Sequence, residues 1–230
     1  MPMRARAQTP REMAELPYAH RLEPFTGRLV RDDDHESVLF DGCVFEDPDA
    51  GGSAFGECAF ANTSFDRGRY RRCRFDDVWW HTVRMVGVDL VETEWLDVEF
   101  AAGVLAGTEI SGSRLRRVTF RNCKFDSVNA RMAHLRDVFF VDCLLRDVDF
   151  GGATLTDVAF PGSTLERVRL DRTKLTKVDL REANGLGIAS GLDALAGTTI
   201  NTGQLLDLAP AFAQLLGITV QDGPPGAGHP

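Results

Sequence analysis

Residues 151–183 read GGATLTDVAFPGSTLERVRLDRTKLTKVDLREA, and within them Leu155, Phe160, Leu165, Leu170, Leu175 and Leu180 stand five apart. Counting backwards, the same step meets an apolar residue each time as far as Phe40, and of these only Ala50 and Ala130 are small. Two residues before each of these centres the side chain is small: Cys43, Cys58, Thr63 and Gly68 early, Val148, Ala153, Val158 and Ser163 late, with Pro48 the exception. The residues flanking each centre are mostly charged, polar or Gly, and Asp, Asn and Gly recur two positions after it.

A strict step of five fits neither common element. On an α-helix it would wind the apolar residues around the whole surface. On a long flat strand it would throw them alternately to both faces. A solenoid accommodates it: each pentad supplies a short extended piece and a corner. The centre and the residue two before it then point toward the axis, and turn-forming residues occupy the corner. Phe40, Phe60, Trp80, Phe100, Phe120, Phe140 and Phe160 form an all-aromatic series, whereas the three intervening series are mixed. That spacing of 20 assigns four pentads to each coil, hence a square cross-section. Charges keep the same spacing: Arg69, Arg72 and Arg74 are followed one coil later by Asp89, Glu92 and Glu94, and Arg117 lies between Asp97 and Asp137. From 40 to 180 there are 29 centres, or about seven coils, stacked at roughly 4.8 Å, the ordinary strand spacing.

The pattern resembles the pentapeptide-repeat family, whose repeat is Ala, Asp or Asn, Leu and two variable residues. The late repeats quoted above are the cleanest copies. Earlier ones carry Phe or Trp for Leu and Val, Thr or Cys for Ala. The resemblance implies an all-β solenoid, a right-handed quadrilateral β-helix with a C-terminal helical cap. Some members of that family resemble a DNA duplex in size, shape and charge, bind DNA gyrase in its place, and so confer resistance to quinolones or gyrase toxins. Those relatives pair head to head through C-terminal helices. Here Gln204-Leu205-Leu206 followed by Leu215-Leu216-Gly217-Ile218 is similar, which implies a homodimer built on Leu205, Leu208, Phe212, Leu215 and Leu216. The alternative is a general protein–protein interaction scaffold. Outward charges summed face by face come to about -3, -1, 0 and 0, less than imitation of a phosphate backbone demands on one side.

The chain divides into a disordered N-terminus at 1–16, an N-terminal cap at 17–39, the repeat region at 40–184, a C-terminal helical cap and dimerisation segment at 185–220, and a disordered tail at 221–230. In the C-terminal segment Thr202 is the expected helix N-cap and Pro210 the expected kink or break. Formal net charge is -8, which disfavours direct nucleic-acid binding. No apolar run approaches the length of a membrane span, so a cytoplasmic protein is expected.

A search for chemistry returns structural explanations. All five cysteines, Cys43, Cys58, Cys73, Cys123 and Cys143, sit two residues before a centre, as small buried thiols would and as metal ligands need not. The histidines are scattered without a nucleophile or orienting acid. Gly185-Leu186-Gly187 lacks the glycine spacing of a phosphate loop. Neither an enzyme nor a cofactor or metal site is therefore expected. One outward face stands apart. It carries the apolar Trp79, Phe139 and Val141 with few charges, Asp41, Glu99, Asp142, Asp179 and Glu182 against Arg121 and Arg181. An apolar strip of this kind is either a contact surface for a protein partner or the seat of a terminal segment folded back over it.

Overall fold

A computed structural model describes residues 9–221. The repeat region forms a four-sided parallel β-solenoid. One side is an eight-stranded sheet that receives a single strand from every turn, so the coil count is about eight. Two further sides merge into a 15-stranded sheet, because strands Arg114–Arg121 and His134–Val141 run around the corner between them. The fourth side is a column of single bridges from Asp49 to Arg169. Registers between successive coils are held at 20 residues, as in Phe40↔Phe60, Trp95↔Leu115 and Phe125↔Leu145.

The corners explain the step of five. From Asp32 to Lys177, every residue numbered with a final 2 or 7 has a positive φ. Seven of these are glycines and 23 are not, with φ between 47 and 59° in the latter. Left-handed backbone costs a non-glycine residue about 1 kcal/mol or more, and Asp and Asn tolerate it best. The cost is offset because corner N–H groups reach carbonyls of the next coil. Asp77 N donates to Leu96 O at 2.9 Å and Ala102 N to Arg121 O at 2.9 Å.

The centres fill the axis. Phe40–Phe60, Phe60–Trp80, Phe120–Phe140 and Phe140–Phe160 stack with ring centroids 4.3, 3.9, 5.2 and 5.0 Å apart, each contact adding about 0.5–1.5 kcal/mol beyond its buried area. The small residues two before the centres do more than fit. Thr63 Oγ1 donates to Phe40 O at 2.7 Å, Ser163 Oγ to Phe140 O at 2.8 Å and Cys73 Sγ to Ala50 O at 3.0 Å. Hydroxyls and thiols thus tie one coil to the carbonyls of the coil before it. Burial pushes the thiols of Cys58 and Cys73 up to about 12 and that of Cys143 up as well, consistent with a structural role. Gly103 occupies the same inward position because a Cβ there would lie 2.0 Å from Phe100 Cε1.

Both ends depart from the repeat. The solenoid begins earlier than the apolar count indicates, at strand Asp34–Glu36, where His35 takes a centre position and stacks on Phe55 at 4.9 Å. Ahead of it, Glu23–Pro24 pairs with Val38–Leu39, and Phe25 lies against Phe40 at 4.6 Å. At the other end the solenoid runs past Asn184. Strand Gly185–Ser190 adds to the stack, but Leu165 now pairs Leu186 and further register shifts follow. A helix, α1, spans Thr202–Leu215. Asn201, not Thr202, is its N-cap, in a reciprocal box with Gln204, because Asn also reaches Arg181 O through Nδ2. Pro210 lies inside α1 and the helix is not divided there. Gln204 Nε2 donates to Leu180 O and Ala183 O at 2.7 and 3.1 Å, satisfying carbonyls that the last coil would leave open. The tail at 222–230 and the first eight residues lie outside the described residues.

Three measurements check this account. Gly42 has a φ of +62° with nothing within 4 Å of an added Cβ, so Gly42→Ala should cost about 1 kcal/mol, through backbone strain alone. Gly103→Val should cost about 1–3 kcal/mol or more, through overpacking, when both are followed by chemical denaturation. Of the five thiols, Cys43 alone is not fully buried; it should react with a disulfide reagent in the native state while the others wait for unfolding. His35 has a pKa below the ordinary 6.5, because its burial outweighs the Asp33 carboxylate 3.6 Å away. A base held neutral in the fold leaves stability intact above the unfolded pKa and erodes it as pH falls below about 6.5. His35→Phe should therefore flatten the loss of thermal stability between about pH 6.5 and 5.

Candidate protein-binding face

The outward side chains beside the aromatic column belong to two different environments. In the first four coils the face is covered by the chain's own N-terminal segment. Leu16 and Tyr18 are buried in a cluster with Ala59, Ala61 and Trp79, joined by Ala19, Leu22 and Leu39. Trp79 Nε1 donates to Arg11 O at 3.1 Å. Arg11 answers Glu99 twice, through its backbone N at 2.9 Å and Nε at 2.7 Å. Arg21 pairs with Glu57, and Tyr18 Oη donates to Cys58 O at 3.4 Å. Residues 11–22 thus form a strap that runs against the direction of coil progression, from Glu99 back to Glu57.

This corrects two expectations. Trp79 is only 3% exposed and Glu99 8%, so neither presents a free surface to a partner; both serve the strap. Residues 9–16, expected to be disordered, are placed against the solenoid and include a short helical turn at Met13–Glu15. The apolar trio Leu16, Tyr18 and Leu22 was the available signal for it.

Beyond Arg11 no described residue of the strap covers the face. Phe139 is half-buried and lines a cleft of about 360 Å³ with Ala159, Asp137, Asp157, Lys177 and Asp179. Asp142 is exposed near the opposite edge of that face, while Val141 is 5% exposed and offers little area. Asp41 is exposed but lies in the first coil, accepting a hydrogen bond from Asn62, away from Phe139. The structure therefore joins Phe139 not with Asp41 and Glu99 but with Asp137, Asp157 and Asp179. Asp179 accepts from Arg181 and is held below the usual carboxylate range by it. Among the described residues Asp137 and Asp157 have ion-pair contacts only at long range, 3.7 Å to Arg136 and 3.9 Å to Lys177. Sequence reasoning missed these acids because Asp137 and Asp157 are corner residues, indistinguishable by spacing from other corner aspartates.

At the C-terminal end, α1 splits the residues expected in a dimer contact. Leu208 is buried and Phe212 partly buried against this chain's own core, so they cap the last coil. Leu205, Leu215 and Leu216 are 49, 52 and 71% exposed, alongside Leu206 at 69% and Ile218 at 56%. Among the described residues no group of three or more His, Cys, Asp or Glu side chains could hold a metal, and no helix is long and apolar enough to cross a membrane.

Comparison with known proteins agrees with the geometry. The family model "Pentapeptide repeat region" matches residues 52–129, 93–170 and 113–188. No curated protein matches the sequence. Among solved structures, HetL of the cyanobacterium Nostoc sp. strain PCC 7120, a pentapeptide-repeat protein involved in heterocyst differentiation regulation, is 12% identical, with 75% of this chain and 91% of HetL covered and a TM-score of 0.43. A trypsin-treated form of QnrB1, a plasmid-mediated fluoroquinolone resistance protein, is 18% identical over 86% of this chain and 99% of QnrB1, with a TM-score of 0.37. With register, corners and family model in agreement over the same coils, this chain belongs to the pentapeptide-repeat family.

Proposed function

We propose that the protein is a cytoplasmic, non-enzymatic scaffold that binds a protein partner on the open part of its aromatic-column face and dimerises through α1. The observation that carries the reading is the contrast in how its surface is satisfied. Several outward charges are answered one coil away, as in Arg117–Asp97, Arg146–Glu166 and Arg167–Asp147. Exposed pairs of this kind contribute at most about 1 kcal/mol each and leave little for a partner to recognise. The half-buried Phe139 and the exposed leucines of α1 are apolar and have no such answer among the described residues. An exposed apolar helix face on a solenoid end is what a second copy of the same cap would bury.

A second reading gives the partner as DNA gyrase or another type II topoisomerase, with quinolone or toxin resistance as the outcome. It is supported by the family resemblance, the net charge of -8 and the exposed helix on which such relatives pair. QnrB1, the fluoroquinolone resistance protein matched above, illustrates that outcome in another member of the family.

Two experiments divide the readings. Sedimentation equilibrium should show a dimer, and Leu206→Glu with Leu216→Glu should convert it to monomer, the solenoid's circular dichroism unchanged. A gyrase supercoiling assay with and without a quinolone should show inhibition or protection at micromolar protein if the second reading holds. An inert result there removes gyrase and leaves the scaffold. A chain that stays monomeric at tens of micromolar removes the dimer.

A further inference from the structure

We infer that the Phe139 cleft takes an extended, arginine-bearing segment of a partner protein, laid along the face as the strap is laid along its upper half. The inference rests on reading this face as the protein-binding surface and supplies the chemistry of what binds.

The template is internal. The strap shows what this lattice holds when it is filled. In the covered coils the edge of the face presents Glu57, Asp77 and Asp97 in one corner column, with Ala59, Trp79 and Glu99 beside it. Three acids stacked a coil apart repel one another. The strap answers them with Arg21 on Glu57 and with Arg11, which bonds Glu99 and acts on Asp77. Its apolar residues meanwhile fill the space over Ala59 and Trp79. Arg117, bonded to Asp97 through both carboxylate oxygens, closes this upper stretch.

Below Arg117 the same elements recur with no strap over them among the described residues. Asp137 and Asp157 occupy the same corner column one coil apart, and Phe139, Ala159 and Asp179 occupy the adjacent outward column. An aromatic ring, an alanine and a carboxylate again stand in consecutive coils, next to a pair of like charges. Of the cations near that pair, Arg117 acts on Asp137 but spends its hydrogen bonds on Asp97, and Arg136 and Lys177 lie at 3.7 and 3.9 Å without a hydrogen bond to the acids. A guanidinium placed between Asp137 and Asp157 would make the charge-assisted contacts that Arg11 makes above, while an aliphatic or aromatic neighbour covers Phe139. The cleft is continuous in kind with an interface the molecule already uses, and its charge selects a cation.

The strap sequence itself is the probe. A labelled peptide of residues 9–24, TPREMAELPYAHRLEP, added to the intact protein should bind saturably at one site per chain, read by fluorescence anisotropy. Asp137→Asn with Asp157→Asn should weaken it roughly tenfold, and Phe139→Ala by a similar factor. Replacing both peptide arginines with glutamate should weaken it at least as much, and raising salt should weaken the native peptide. Glu57→Gln and Glu99→Gln in the protein should leave it unchanged. The asparagine variants change only half-buried corner side chains and keep their size, so unaltered thermal melting separates lost binding from lost fold. No saturable binding at millimolar peptide overturns the inference. So does binding that ignores Asp137 and Asp157, or binding governed by Glu57 and Glu99, which would mean the peptide had displaced its own copy. A negative result in this assay, with the dimer or gyrase result positive, removes the arginine-segment partner and leaves the scaffold standing.

Discussion

A coil of this solenoid can satisfy its backbone only through the coils above and below it. Everything else in the molecule follows from meeting that demand at every corner. Four corners per turn must present an N–H along the axis, and each does so by entering left-handed backbone. The residue that does this recurs at a fixed interval, so the chain between corners has a fixed length, and the side chains between them fall into fixed columns. Aromatic stacking, the hydroxyl and thiol ladder and the charge columns all inherit their spacing from the corner. Arginine, lysine and methionine stand at corners as well as glycine and aspartate, which shows that neighbour contacts outweigh local preference there.

That dependence sets what can be read from the chain. Residues inside the register are legible because one number places them: Phe60, Phe100 and Phe140 are in the axis, Cys73 and Cys143 beside it, Asp97 and Arg117 one above the other. Residues outside the register have no such coordinate. The strap is invisible to a count of fives, since Arg11, Leu16, Tyr18 and Arg21 owe their positions to Trp79, Glu99 and Glu57 and not to a repeat of their own. Trp79 looked like an exposed aromatic for the same reason: its column was known and its cover was not. Only half of the site was therefore readable. Phe139 was, through its column; its pairing with Asp137 and Asp157 needed knowledge of which corners lack a short contact.

The surface electrostatics have the same one-dimensional character. Arginine and acid alternate down several columns, so that much of the surface charge is neutralised locally in short pairs, while the net charge stays at -8. Two features stand outside this alternation among the described residues: two like-charged corners beside Phe139, and an uncharged leucine face on α1. Recognition by this molecule is then a matter of where the alternation fails, rather than of a field spread over a whole side.

A stack of identical coils carries no instruction about when to stop. The spacing of 21 at Leu165↔Leu186 does not supply one, because Val168↔Ile188 and Val178↔Thr198 return to 20. The stop is α1: Gln204 donates to carbonyls of the last coil and Leu208 is buried against its core. A helix presents no open strand edge, so the side of the stack that it covers is closed to another coil or another molecule.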